Sequence, residues 1–330
     1  MSSVAPTEST EAGSGRKLIS IVTPAYNESE CVDELARRMA AMMDAEPAYD
    51  FEVVIVENGS QDDTWEKLIE IRKHDQRFKL LQLARNFRMD GGLTAGLAFV
   101  TGDACVLMTA DLQDPPELIH EFLRKWEEGY ENIYGVVEER RGTGPIRRFN
   151  SRAFYWVAGR LTDGRIPRDA SDFRLLDRKA YEAVRGMDER NRFVRGLAAW
   201  VGFKSVGVPM QRPPRFAGES KATTLPVLDL AFKGIFAHSY IPLRLITVTG
   251  VCISFGAVLA VVILTIRWII VGVPFAGFGT IVSLLLLALG GLAFMMGILS
   301  EYVGLIYEEV KQRPNYIVRE TLGLSGHDAG

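Results

Sequence analysis

The residues best placed to do chemistry in this chain stand where an apolar strand gives way to prolines. Ala104–Cys105–Val106–Leu107–Met108 reads as a buried strand, and it runs into Thr109–Ala110–Asp111–Leu112–Gln113–Asp114–Pro115–Pro116–Glu117. Open α/β sheets bind ligands at the carboxyl ends of their strands. A carboxylate there, beside a proline-marked helix start, is placed to hold a cation or a sugar phosphate. The competing reading of Asp111 is a helix cap, although Asp114, directly before the prolines, is the better cap. Arginines cluster between Arg140 and Arg215, and guanidinium groups suit phosphates through paired hydrogen bonds. Within that cluster Arg140, Arg141, Arg147 and Arg148 read as a solvated surface facing lipid head groups. His74, His120, His238 and His327 show no ligand spacing. Cys31, Cys105 and Cys252 are too scattered for a disulfide framework or a CxxC site, which fits a reducing compartment.

Regular alternation of short elements must position those residues. Leu18–Thr23 is an apolar run ending at Pro24, hence a buried strand. Asn27–Glu28–Ser29–Glu30 opens a helix with acidic residues in its first turn, and Val32, Leu35, Met39 and Met42 share one face of it. Strands follow at Phe51–Val56, Phe78–Leu83, Asp103–Met108 and near Asn132–Val137. Between them come a turn at Asn58–Gly59–Ser60, a helix capped by Asp62 or Asp63, a helix over Gly91–Val100 and a helix over Pro115–Glu128. Such alternation predicts a mostly parallel sheet covered on both faces. Past Arg140 the pattern loosens, with a helix expected around Arg147–Leu161, a strand at Phe173–Leu176, a helix around Arg192–Trp200 and a strand over Phe203–Met210. Met39, Met42 and Met43 read as core packing.

The chain has 330 residues and a formal net charge of −3, which gives no electrostatic footprint for binding nucleic acid. Its first 16 residues, rich in Ser, Ala, Gly and Glu, lack the apolar core of a signal peptide and are expected to be disordered. Pro226–Tyr240 is amphipathic, so residues 223–243 are expected to lie at a membrane interface. Two apolar spans follow, about 245–271 and 279–300, each long enough to cross a bilayer. The link between them is short, so they form a helical hairpin with both termini on one side. Lys233, Arg244, Lys311, Arg313 and Arg319 flank that side, and the positive-inside rule makes it cytoplasmic. Residues 303–330 then form a cytoplasmic tail. Arg267 lies close enough to the turn to snorkel to the far interface.

Several of these segments carry a family resemblance. Val22–Thr23–Pro24–Ala25–Tyr26–Asn27–Glu28 resembles the opening motif of family 2 glycosyltransferases with the GT-A fold. Gly59–Ser60–Gln61–Asp62–Asp63–Thr64 matches the GSxDxT turn of that family, and Ala110 to Glu117 the tail of its DxDLQxPPE segment. Further matches are Arg85–Asn86–Phe87, Asp172–Phe173–Arg174–Leu175, Arg192–Phe193–Val194–Arg195–Gly196 and Arg215 to Lys221. Together they cover nearly everything after Arg16. The nearest resemblance is to polyprenyl-phosphate glycosyltransferases.

That resemblance implies a Rossmann-like GT-A catalytic domain over residues 17–222, joined to a two-helix transmembrane hairpin. It implies transfer of one sugar from a nucleotide sugar, UDP-linked by preference and GDP-linked as second choice, to polyprenyl phosphate, with inversion at the anomeric carbon. By analogy Pro24, Tyr26, Asn27, Glu28, Glu57, Asn58, Ala110 and Asp111 line the nucleotide-sugar site. Asp111, Asp172, Arg192 and Arg195 are the catalytic candidates. Arg192, Arg195, Arg212, Arg215, Ser220 and Lys221 are the candidates for the acceptor phosphate, and Asp111 and Gln113 would hold Mg²⁺ or Mn²⁺. Localisation at the inner cell membrane, contact with membrane lipid and homo-oligomerisation are part of the same expectation.

Two departures bear on the site. Thr109 stands where the family places the first Asp of DxD, removing a carboxylate from the metal neighbourhood. Glu57–Asn58 replaces a pair of aspartates at the turn that reads base and ribose; outside that analogy Glu57 would be a surface carboxylate at a strand end. These departures keep open a non-catalytic paralogue that binds nucleotide or lipid phosphate. A polysaccharide synthase of the same superfamily is the remaining alternative, but no QxxRW motif is present.

Overall fold

The computed structural model describes residues 15–137, 170–190, 192–213, 241–271 and 277–324. The expected helix at 147–161 and the amphipathic segment at 226–240 lie outside the described residues, as do Arg215, Ser220 and Lys221. In chain order the elements are β1 (Lys17–Ala25), α1 (Val32–Asp44), β2 (Tyr49–Glu57), α2 (Thr64–His74), β3 (Phe78–Leu83), α3 (Arg88–Phe99) and β4 (Ala104–Leu107). Then come α4 (Ile119–Glu127), β5 (Asn132–Val137), β6 (Ala170–Asp177), α5 (Arg178–Arg185), α6 (Val194–Trp200) and β7 (Ser205–Met210). The chain continues through α7 (Ile241–Val271), α8 (Phe278–Lys311) and β8 (Val318–Leu322).

The strands form one eight-stranded sheet in the order β7-β5-β6-β4-β1-β2-β3-β8. β1 pairs in parallel with β2 and β4, β2 with β3, and β5 with β7. Among the described strands only β6 and β8 run against the rest, so the expected mostly parallel α/β sheet is what the chain builds. Side chains alternate across a strand, and here they feed two cores. Ile19, Ile21, Val53, Ile55 and Val106 point into one, beneath α1, α2 and α4, where Met39, Met42 and Met43 pack as expected. Val22, Val54, Val56 and Leu107 point into the other, beneath α3, α5 and α6. α3 lies unusually close to the sheet: a Cβ on Gly96 would stand 2.2 Å from Val22 Cγ1.

Three features depart from the expected pattern. The helix expected over Pro115–Glu128 divides into a 3₁₀ turn at Pro116–Leu118 and α4. Helix α5 has no counterpart in the expected pattern, although Asp177 caps it by accepting from Lys179 N at 3.0 Å and Ala180, Tyr181 and Val184 bury one face. The segment expected to be a tail instead continues α8 to Lys311 and returns as β8, antiparallel to β3 at the sheet edge. Of the two expected apolar helices, both are present as α7 and α8. Among the described residues one stretch, Ala288–Lys311, is long and apolar enough to cross a membrane.

Candidate active site

Parallel pairing brings the carboxyl ends of β1, β2 and β4 to one edge, with Ala25 opposite Glu57 and Val22 opposite Leu107. The loops leaving these strands carry most of the expected nucleotide-side residues. The loop after β1 is sewn to the turn after β2 by successive amides. Asn27 N donates to Ser60 Oγ at 3.0 Å, Glu28 N to Thr64 Oγ1 at 3.0 Å and Ser29 N to Asp62 Oδ2 at 3.3 Å. The Ser, Asp and Thr of the GSxDxT turn therefore shape the neighbouring loop. Asn27 Oδ1 in turn accepts from Gln61 N at 2.8 Å. Gly59 is required here: its φ is +72° and a Cβ would stand 2.5 Å from the Arg85 carbonyl carbon.

Glu57 and Asn58 are both buried, so the surface reading of Glu57 does not hold; its carboxylate accepts from Ser60 N. Asn58 uses its amide in both directions. Oδ1 accepts from Phe87 N and Nδ2 donates to Arg88 O, each at 2.9 Å. An aspartate at this position lacks the second of these bonds. Asn58 thereby clamps the loop after β3, where Arg88 is held at φ +64°. Asn27 and Leu112, at φ +51° and +58°, adopt the same left-handed conformation, uncommon outside glycine. All three follow strands at this edge, and such strain collects where surrounding structure fixes a functional loop.

Asp111 stands just past β4, 9% exposed. Its Oδ1 lies 2.7 Å from Thr109 Oγ1 and accepts from Gln113 N at 3.2 Å. Ala110 is buried beside it. Asp114 does not cap the helix. It is fully buried, accepts from Thr109 N at 3.0 Å, meets Thr109 Oγ1 at 2.8 Å and pairs with Arg212 at 3.2 Å. The prolines extend the backbone away from Asp114, so its side chain turns back toward the strand end. Burial pushes its carboxyl above the usual range, against the pull of Arg212. Thr109 thus fills the space between two carboxylates and carries a hydroxyl that bridges them.

On the other side of β4, β6 carries Asp172, which Arg195 grips with two hydrogen bonds, Nε to Oδ1 at 2.8 Å and Nη2 to Oδ2 at 2.5 Å. Burial works to raise the Asp172 carboxyl, but the paired guanidinium outweighs it and holds it low. Arg174, two residues along the same strand, is almost completely buried. Its Nη2 donates to Ser171 O at 3.0 Å, and burial pushes it down to about 10. The structure gives Arg192 a different setting from Arg195: Nη2 donates to Val184 O at 2.6 Å and Nη1 to Met187 O, closing the carboxyl end of α5.

One residue absent from the expected set belongs to this neighbourhood. Asp90, in the first turn of α3, accepts from Val194 N at 2.9 Å. Burial, reinforced by Asp172, pushes its carboxyl up to about 6. Its signal in the sequence was faint, a single acid ahead of Gly91–Gly92.

The donor set suits a hard cation that shares its coordination with a ligand. Mg²⁺ is commonly held by one or two carboxylates together with substrate phosphates, and Asp111 could supply one carboxylate. Among the described residues no three His, Cys, Asp or Glu side chains gather into a preformed cage.

Comparison with known proteins finds a matching family and similar chains. The family described as "Glycosyl transferase family 2" matches residues 20–185. An uncharacterised glycosyltransferase of Synechocystis sp. is 38% identical over 93% of this chain and 96% of its own length. A glycosyltransferase of Bacillus subtilis is 38% identical over 92% of this chain and 94% of its own. The bactoprenol glucosyl transferase of Shigella phage SfII is 32% identical over 92% of this chain and 98% of its own.

Proposed function

The chain belongs to glycosyltransferase family 2, and from that premise we propose that it transfers a single sugar from a nucleotide sugar to polyprenyl phosphate at a membrane surface. The observation that carries this reading is a shared edge. Asp111 at the end of β4 lies between the Glu57–Asn58 loops and the Asp172–Arg195 pair, in a chain whose α8 contains an apolar stretch of membrane-crossing length. The name of the phage relative, a bactoprenol glucosyl transferase aligned over 92% of this chain, supports the same acceptor. It also weighs against the non-catalytic alternative.

The nucleotide lies along the loops after β1 and β2, with the sugar toward Asp111. Glu57 and Asn58 shape that site from beneath, since their polar atoms hold Ser60 and the Phe87–Arg88 turn. An acceptor phosphate oxygen attacks the anomeric carbon from the face opposite the nucleotide. As that bond forms, the bond from the anomeric carbon to the diphosphate oxygen breaks, and the nucleoside diphosphate departs with the electron pair. One displacement inverts the configuration. The second pKa of a phosphate monoester is about 6, so the acceptor is mostly dianionic at neutral pH and needs no strong base. Asp172 fits that economy. Gripped by Arg195 and held at low pKa, it orients the guanidinium toward the acceptor and does not abstract a proton. Arg195 and Arg212 are the described cations beside the reacting edge; Arg215, Ser220 and Lys221 complete the acceptor set by analogy. Mg²⁺ or Mn²⁺ held by Asp111 and Gln113 would neutralise the departing diphosphate.

UDP-sugars are the favoured donors and GDP-sugars the second choice. The catalytic domain faces the cytoplasm, with α7 and α8 forming the membrane hairpin. A transfer assay in detergent with undecaprenyl phosphate, Mg²⁺ or Mn²⁺ and a panel of UDP- and GDP-sugars tests the proposal. A lipid product heavier by one sugar, read by mass spectrometry, is expected. Nucleotide-sugar hydrolysis without any lipid product would overturn the acceptor assignment.

A further inference from the structure

A groove of about 1130 Å³ runs between the catalytic domain and α8 and shares the Phe87–Arg88 turn with the candidate site. One wall is apolar, made by Phe294, Ile298 and Leu305 of α8. Gly297 and Gly304, seven residues apart on the same helix, also line it and leave open space where a Cβ would stand. The opposite side is cationic. Arg85, Arg88 and Arg190 line it from the catalytic domain, joined by Lys311 and Arg313 at the end of α8, with two carboxylates, Glu301 and Glu308, also in the lining.

Three of these cations sit on backbone that is held in place. Arg88 O accepts from Asn58 Nδ2 at 2.9 Å, and Arg190 N donates to Glu309 Oε1 at 2.8 Å. Arg313 lies between the left-handed cap at Gln312 and Asn315, whose Nδ2 donates to Glu189 O at 3.0 Å. Among the described residues the guanidinium groups of Arg88, Arg190 and Arg313 make no ion pair and no side-chain hydrogen bond. Lys311, by contrast, sits 4.0 Å over the Tyr307 ring and Arg85 3.9 Å over the Phe87 ring. Like charges gathered on a pinned backbone repel one another, and an anion relieves that repulsion. Guanidinium groups match phosphate oxygens in particular, and the apolar wall adds a surface that no free phosphate would use.

We propose that this groove binds an anionic glycerophospholipid of the bilayer. Its phosphodiester sits among Arg88, Arg190 and Arg313, and an acyl chain lies along Phe294, Ile298 and Leu305. The inference rests on the reading that α8 lies in a membrane. The lipid joins the two parts of the molecule, since Arg88 and Arg190 belong to the catalytic domain and Arg313 and the apolar wall to α8 and its end. It also braces the loop that Asn58 clamps at the nucleotide side. A bulk lipid fits better than the polyprenyl acceptor for two reasons. Arg85 and Arg88 follow β3, three strands from β4 in the sheet order, roughly 14 Å at the usual strand spacing, whereas Asp172 is carried by β6, directly beside β4. Bulk anionic lipid also greatly outnumbers a scarce carrier lipid, so mass action fills an undiscriminating site with it.

The test uses the full chain in detergent micelles doped with phosphatidylglycerol or with phosphatidylcholine of the same acyl chains. Retained lipid is counted by native mass spectrometry. One phosphatidylglycerol per chain is expected to survive conditions that strip phosphatidylcholine. The combined variant Arg88→Gln, Arg190→Gln, Arg313→Gln should lower that retention at least tenfold, as should the single variant Arg313→Glu. Arg124→Gln on α4 should leave it unchanged. Equal retention of both lipids, or unchanged retention in the variants, would overturn the proposal. Displacement by equimolar undecaprenyl phosphate would reassign the groove to the acceptor, and displacement by millimolar inorganic phosphate would make it a free-anion site; either refutes the phospholipid. Failure of the chain to float with neutral vesicles would instead sink the membrane reading on which the inference stands.

Discussion

Thr109, Asp111 and Asp114 form one hydrogen-bonded cluster just past β4. A carboxylate at 109 would stand against Asp111 and Asp114, whose oxygens lie 2.7 and 2.8 Å from the Thr109 hydroxyl. Threonine avoids that repulsion, and Asp111 is the carboxylate proposed to share a cation. Asp111→Ala should therefore reduce transfer by about 10²-fold or more while the thermal midpoint moves little. Turnover near that of the unaltered protein would remove Asp111 from the site. Asp90 offers a different test. Its carboxyl is raised to about 6 from an ordinary value near 3.9, so the fold favours its protonated form. The stability this brings is fully present below about pH 4 and is lost as pH rises through about 6. Asp90→Asn keeps an acceptor for Val194 N and removes the charge. It should stabilise the protein by about 1–3 kcal/mol at pH 7.5, with the difference vanishing toward pH 4 in melts across that range. A pH-independent difference would mean that Asp90 acts through packing alone.

Among the elements, β8 joins the carboxyl end of the chain to the catalytic sheet. It covers the outer edge of β3, with Leu322 packed toward one core and Tyr316, Val318 and Leu324 toward the other. Arg319 and Glu320 remain exposed, as suits an edge strand that should not recruit another chain. Removing residues 312–330 uncovers the β3 edge and several apolar side chains, each worth about 1.5–3 kcal/mol when fully buried. The truncated chain should melt at a clearly lower temperature and aggregate more readily, as measured by calorimetry and light scattering. An unchanged midpoint would show that β8 contributes no stability. Elements α3 and α6 are joined in a comparable way by the bond from Val194 N to Asp90.

For the molecule as a whole, α7 and α8 carry large apolar side chains at their surface. Phe255, Ile269, Leu285 and Phe294 are more than 60% exposed, a surface that bilayer contact would cover. Vesicle flotation of the full chain should therefore resist 1 M salt, at which the Debye length is about 3 Å and surface ion pairs are screened. Release by salt would indicate peripheral, charge-driven attachment. Much of this was legible in the sequence. The apolar runs at Leu18–Thr23, Phe51–Val56 and Asp103–Met108 specify buried strands because a parallel sheet covered on both faces needs continuous apolar segments. The same local logic put Asp111 at a strand end and made two long apolar helices near the carboxyl terminus. The tertiary structure alone decided what local pattern does not encode. Val318–Leu322, with charges at Arg319 and Glu320, becomes a strand only because β3 offers it an open edge. Asp114 turns from an expected cap into a buried partner of Thr109 and Arg212, and Asn58 becomes a clamp on a loop 29 residues away. Periodicity and capping act between near neighbours, whereas these roles depend on which distant polar atoms folding leaves in need of a partner.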